Sequence, residues 1–303
     1  MHSLFTAAAA LALLALGPAP APAQQNPACR PTVQGRLDIV DFESKTFPGA
    51  RKLRIWLPPG YDAAKPYPVL YMFDGQNLFD RCTGYGNQEW TADEVASRLI
   101  AEGKIPPLII VGIDNAGARR AQEYLPYPDP FNPDAAQVEG EKLIAFLREV
   151  IDFTGARYKL GEARGLGGSS YGGIATLQTV LHRPDLFNRA LIESPSLQVG
   201  NGQLLRDAAT PYALPERVFV GMGSAELAIE ADAPSERRAF AQRVNAGSVS
   251  AVKRLAGALE ASAMPAAIKL VVAPGAHHNE AAWATRLPEA LTFLFGPDPQ
   301  ARR

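Results

Sequence analysis

The chain has 303 residues, 47% of them hydrophobic and 20% charged, with a formal net charge of −1. Lysines and arginines cluster no further than short pairs, which argues against nucleic acid or an anionic membrane surface as the main partner. Two cysteines and four histidines, without ligand spacing, argue against a bound metal.

The first segment reads as a leader. Phe5 to Leu16 is an apolar run, followed by Gly17-Pro18-Ala19-Pro20-Ala21-Pro22-Ala23. Ala21-Pro22-Ala23 fits the A-x-A cleavage pattern, so residues 1–23 are expected to be a secretory signal peptide and Gln24 the new N-terminus. The n-region is atypical, because only His2 could carry charge there. The run is too short to span a bilayer comfortably. These features point to an exported protein, periplasmic or secreted, with no stable membrane insertion after cleavage. The remaining roughly 280 residues suffice for one large α/β domain. Residues 24–35 are expected to be an N-terminal tail, 36–297 the domain and 298–303 a C-terminal tail. In an oxidising compartment Cys29 and Cys82 are expected to pair, tying the tail to the loop after the strand at Val69–Phe73.

Strand-length apolar runs then alternate with helical periods. Arg36–Phe42 and Lys52–Leu57 read as antiparallel leading strands. Val69–Phe73 and Pro107–Ile113 are apolar on both faces, as buried strands are. Thr91–Gly103 reads as a helix, with Thr91 as N-cap and Glu94 at the capping-box position. Asp114 to Asp134 holds four prolines and no clear period, and reads as a long loop. Ala136–Thr154 reads as an amphipathic helix and Arg164–Gly167 as a short strand, followed by a helix at Tyr171–His182. Strands follow at Arg189–Ile192, Arg217–Val220 and Ile268–Val272. Helices are expected at Glu236–Ala261, weakened at Ala246-Gly247-Ser248, and at Glu280–Phe295. The alternation predicts a mainly parallel sheet with helices on both faces in a single domain.

The segment Gly168-Ser169-Ser170-Tyr171-Gly172 matches G-x-S-x-G, a nucleophile elbow. A sharp strand-to-helix turn would lift the Ser170 hydroxyl clear of the backbone. Such a turn is crowded, so the positions two before and two after it must be small. Phosphate-loop readings fail: the run has no lysine, and a G-x-G-x-x-G count from Gly165 puts Ser170 at its sixth position. The N–H of Tyr171, opening a helix, can donate to an oxyanion.

In the α/β-hydrolase fold the partners follow as acid and then histidine, each beyond a strand's carboxyl end. His2 leaves with the leader, and His182 ends a helix, where a C-terminal cap role suffices. That leaves His277 and His278 past the last strand. Glu226, after the strand at Arg217–Val220, is the expected acid, with Glu230 and Asp232 as nearby rivals. Tyr71-Met72-Phe73-Asp74-Gly75-Gln76-Asn77 offers the second oxyanion donor, the Gln76 N–H, with Asp74 bracing the loop.

Several segments in order resemble the putative-esterase family of α/β-hydrolases, with its enterochelin-esterase-like and esterase D-like members. They are Asp74-Gly75-Gln76-Asn77-Leu78-Phe79, Trp90, Arg119-Arg120, Glu123-Tyr124-Leu125-Pro126, Gly168-Ser169-Ser170-Tyr171-Gly172-Gly173, Ser194-Pro195-Ser196, and His278-Asn279-Glu280 with Trp283. The family places its catalytic histidine before a Ser/Asn-Glu pair, which implies His278, and its nucleophile at Ser170. Many relatives carry a tryptophan soon after Ser194-Pro195-Ser196, where this chain has Leu197-Gln198-Val199-Gly200. The resemblance implies a serine esterase with Ser170 as nucleophile and His278 as base, while Glu226 stays the expected acid by its position. No cofactor is needed, and export points to a siderophore-type lactone or an acylated polysaccharide as substrate. Acyl transfer with the same triad, and ligand binding without catalysis, are the competing readings.

Overall fold

The structure, a computed structural model, describes residues 29–210, 213–262 and 266–297. The expected leader and the C-terminal tail lie outside the described residues. Among the described residues eight strands form one sheet: β1 (Arg36–Glu43), β2 (Ala50–Leu57), β3 (Tyr67–Phe73), β4 (Ile109–Ile113), β5 (Leu160–Ser169), β6 (Arg189–Glu193), β7 (Arg217–Gly223) and β8 (Ala267–Ala273). Their order is β1-β2-β4-β3-β5-β6-β7-β8. β1 and β2 are antiparallel to each other, β2 is antiparallel to β4, and the rest are parallel. The helices are α1 (Ala92–Ala101), α2 (Arg120–Tyr124), α3 (Leu143–Gly155), α4 (Tyr171–His182), α5 (Gln203–Asp207), α6 (Ser235–Glu260) and α7 (Glu280–Phe295).

Strand alternation divides the core in two. Val69, Tyr71 and Phe73 of β3 face a cluster with Phe146 of α3, Ile174 of α4 and Leu255 of α6. Leu70 and Met72 face the other side, with Leu99 of α1 and Leu291 of α7. The parallel strands are therefore buried on both faces, which is why they read as continuous apolar runs. This sheet with helices on both sides is the α/β-hydrolase architecture that the sequence predicts.

Several boundaries differ from the sequence reading, each for a local reason. Thr91 has a left-handed backbone, φ 50° and ψ 41°, and its side chain caps nothing. The chain enters α1 instead through backbone bonds, Trp90 N–H to Asn77 O and Ala92 N–H to Leu78 O, so no capping box forms. The 114–134 loop contains α2, which pins the following segment through Glu139 N–H to Gln122 O and Gly140 N–H to Leu125 O. A Cβ at Gly140 would lie 2.4 Å from Leu125 O. That close crossing delays α3 to Leu143, where the sequence suggested Ala136. α6 runs unbroken through Ala246-Gly247-Ser248.

Cys29 and Cys82 are disulfide-bonded, with Cα atoms 5.6 Å apart. Around the bridge, Thr32 donates its N–H to Asp80 and its hydroxyl to Glu89, and the Gln34 N–H donates to Asp93. Among the described residues no helix is long and apolar enough to cross a membrane.

Asp93 has no exposed surface. Burial, reinforced by the adjacent Glu94 carboxyl, pushes its carboxyl up to about 8 against the pull of the Gln34 N–H. The folded chain then keeps a proton that the unfolded chain releases near its ordinary value of about 4. Stability should fall as pH rises from about 4 to about 8. Unfolding midpoints in urea across this range should decline for wild type and decline less for Asp93→Asn; parallel curves would contradict the assignment.

Candidate active site

Ser170 sits between β5 and α4 with φ 57° and ψ −122°, a conformation that costs a non-glycine residue about 1–3 kcal/mol. The turn holds because backbones cross around it. A Cβ on Gly168 would stand 2.8 Å from the Gly172 carbonyl carbon, and one on Gly172 would stand 3.2 Å from Phe73 Cβ. The Ser170 N–H donates to Glu193 O at 3.0 Å, and its carbonyl accepts from Ile174 N–H. Its Oγ lies 3.4 Å from Ser196 Oγ. The Tyr171 N–H has no acceptor among the described residues, and it opens the 12-residue α4, where the helix dipole favours negative charge.

The structure joins Glu226 to His278 and not to His277. Glu226 Oε2 accepts from His278 Nδ1–H at 2.6 Å, which leaves Nε2 without a proton on neutral imidazole. Glu226 Oε1 accepts from Ser194 Oγ–H at 2.7 Å and from the Gly223 N–H. Burial pushes the Glu226 carboxyl up, but the bond and charge of His278, with those two further donors, hold it below its ordinary value. His278 also sets its ring edge-on to Trp283, centroids 5.2 Å apart. His277 instead bonds Ala225 O through Nδ1, bracing the loop. Glu230 and Asp232 are exposed. Among the described residues Ser170 and His278 share no hydrogen bond; such contacts often tighten only when a substrate arrives.

The loop after β3 is braced from its acid. Asp74, at φ 58°, accepts from Arg120 Nε and Nη2 at 2.7 Å each and from Asn115 Nδ2 at 2.7 Å. Gln76 is held on two sides: its carbonyl accepts from Thr83 Oγ1–H at 2.6 Å, and its Oε1 accepts from Asn115 N–H. Its own N–H has no acceptor among the described residues. Gly75 allows the close approach, since a Cβ there would lie 2.5 Å from the Gly112 carbonyl carbon. Arg120 also lies over the Tyr171 ring, 5.5 Å from its centroid, and the Tyr171 hydroxyl donates to Asp129.

Sequence reasoning assigned no role to the end of β6, which turns out to link these parts. Glu193 is fully buried and takes a two-nitrogen grip from Arg286 of α7, at 2.8 and 3.0 Å. Ser194 donates to Glu226 while accepting from Trp283 Nε1–H at 3.0 Å. The available signal was Arg286 itself, a charge on the apolar stripe of α7. Among the described residues no group of three or more His, Cys, Asp or Glu side chains is placed to hold a metal ion.

The crossing at Gly168 predicts opposite outcomes for two glycines. Gly168→Ala should destabilise by about 1–3 kcal/mol through overpacking. Gly247→Ala, in open space inside α6, should stabilise by about 0.8–1 kcal/mol. Urea unfolding of both variants decides this; an unchanged midpoint for Gly168→Ala would contradict the crowding.

The "Putative esterase" family model matches residues 44–294. The Bacillus subtilis protein YbbA is 25% identical over 186 residues, 59% of this chain and 70% of that protein. Among solved structures, the siderophore hydrolase EstB from Aspergillus nidulans superposes with a TM-score of 0.71 at 19% identity, covering 89% of this chain and 99% of that one. An IroE-like serine hydrolase from Shewanella oneidensis superposes with a TM-score of 0.65 at 20% identity, covering 86% and 80%. These two structures share the fold. The family match spans most of the chain, so the chain belongs to the "Putative esterase" family and is a carboxylic ester hydrolase.

Proposed function

We propose that the chain is an exported serine esterase in which Ser170 is the nucleophile, His278 the base and Glu226 the acid that orients it. The observation that carries this reading is the 2.6 Å bond from His278 Nδ1 to Glu226, which directs the free Nε2 away from the acid. His278 takes the Ser170 proton as the oxygen attacks an ester carbonyl. The oxyanion accepts from the Gln76 and Tyr171 N–H groups, which have no competing partner among the described residues. The tetrahedral intermediate collapses, the alcohol leaves with the proton from His278, and an acyl-enzyme remains on Ser170. Water, deprotonated by the same histidine, attacks the acyl carbon, and the acid is released. The His278 side chain is 37% exposed, so water reaches the base. That access favours hydrolysis over acyl transfer to another alcohol.

The substrate class we infer is an extracytoplasmic ester, first a siderophore-type lactone and second an acyl group on a polysaccharide. The leader-like N-terminus and the Cys29–Cys82 bridge support export. The likeness to EstB, described as a siderophore hydrolase, supports the lactone.

Hydrolysis of p-nitrophenyl esters, hydroxycinnamate esters and siderophore trilactones tests both parts. Ser170→Ala should lower turnover by roughly 10⁴-fold or more on every substrate cleaved, and His278→Ala by a comparable factor. Trilactones should be cleaved with the highest kcat/KM. Wild-type rates for Ser170→Ala would overturn the serine mechanism, and trilactones slower than simple p-nitrophenyl esters would overturn the lactone assignment.

A further inference from the structure

Glu280 is a buried acid that the mechanism above leaves without a role. It is the first residue of α7, two positions after His278, and only 5% exposed. Among the described residues it forms no ion pair. A carboxyl buried without a cation is costly, so its surroundings must hold it through hydrogen bonds. Its partner is Asn77, whose Nδ2–H donates to Glu280 Oε1 at 2.8 Å across 203 positions of sequence.

Asn77 is the residue after Gln76, and each of its polar groups is engaged. Its Oδ1 accepts from Tyr85 N–H at 3.1 Å, its carbonyl accepts from Trp90 N–H at 2.9 Å, and its own N–H donates to Asp74 O at 2.9 Å. It therefore fixes the oxyanion loop and the neighbouring lip, 80–88, at one point. Glu280 fixes that point to the loop of His278.

We propose that Glu280 is a positioning residue for ester cleavage: through Asn77 it holds the loop bearing the Gln76 N–H in register with the loop bearing His278. The oxyanion donor and the base must address the same carbonyl, and a displacement of about 1 Å between them costs on the order of 10²-fold in rate. Among the described residues, the bond from Asn77 is a direct side-chain link between the two loops. The proposal rests on the serine-esterase reading. Burial pushes the Glu280 carboxyl up to about 7, with Asp74 raising it and its own N–H, His278 and Arg120 lowering it. In either protonation state one oxygen can accept from Asn77. A glutamine should therefore keep the contact, and an alanine should lose it.

The test uses the whole chain and p-nitrophenyl acetate, with Ser170→Ala as control and thermal melts to confirm folding. Glu280→Ala and Asn77→Ala should each lower kcat about 10–100-fold while leaving KM within about threefold. The double variant should be no slower than the slower single one, because both remove the same bond. Glu280→Gln should keep kcat within about threefold of wild type. The proposal is overturned by wild-type kcat in Glu280→Ala, by losses that multiply in the double variant, or by Glu280→Gln being as slow as Glu280→Ala. If Glu280→Ala does not fold, Asn77→Ala against Asn77→Ala/Glu280→Gln carries the test: a deep loss in the first and no further loss in the second support the proposal. An active Ser170→Ala control would instead sink the serine reading, so the two failures are distinct.

Discussion

The buried ion pair between Glu193 and Arg286 is the interaction on which the rest of the site depends. Burial pushes the Glu193 carboxyl up, and Arg286, placed with two nitrogens on it, pulls it back. The pair locks α7 to the end of β6, and the backbone there does the remaining work. The Glu193 carbonyl fixes Ser170 N–H, and the next residue, Ser194, holds Glu226. The chain leaves room for the pair on the adjacent strand, since a Cβ on Gly221 would fall 2.3 Å from the Glu193 carboxylate. Breaking such a pair by deleting one partner strands a buried charge, at a cost of about 3–5 kcal/mol. The strain at Ser170 is tolerable only inside a framework held this firmly.

The loops on either side follow the same logic of one polar anchor each. Asp74 and Arg120 hold the loop that ends at Gln76, and Arg120 extends from there over the Tyr171 ring. Glu226 is anchored by Ser194 and Gly223 before it meets His278. In both cases an acid is satisfied by several donors, so its side chain has a single place to be. Among the described residues two backbone N–H groups, on Gln76 and Tyr171, are left without acceptors, and fixed, unpaired donors are what an oxyanion needs.

The limits of α4 and α7, and the candidates Ser170, Glu226 and His278, were legible in the sequence because local rules set them. Glycine spacing marks the elbow, Asn279 caps α7 by accepting from Ala282 N–H, and the acid and histidine follow strand ends in order. The features that were not legible depend on distant partners. Thr91 loses its capping role because Asn77 and Leu78 carbonyls, remote from α1, supply the bonds. α3 starts late because Gly140 must pass close to Leu125. Ser194, Trp283 and Glu280 stand in recognisable segments, but their contacts form only when β6, α7 and the Asn77 loop come together.

The central claim is that Ser170 is made nucleophilic by the Glu226–His278 pair. Treating the folded chain with a fluorophosphonate and mapping the adduct by peptide mass tests it most directly. The account predicts one adduct, on Ser170, formed in step with loss of esterase activity and absent in His278→Ala. Ester cleavage that persists with Ser170 unlabelled, or a label carried by another serine such as Ser169 or Ser196, would contradict it.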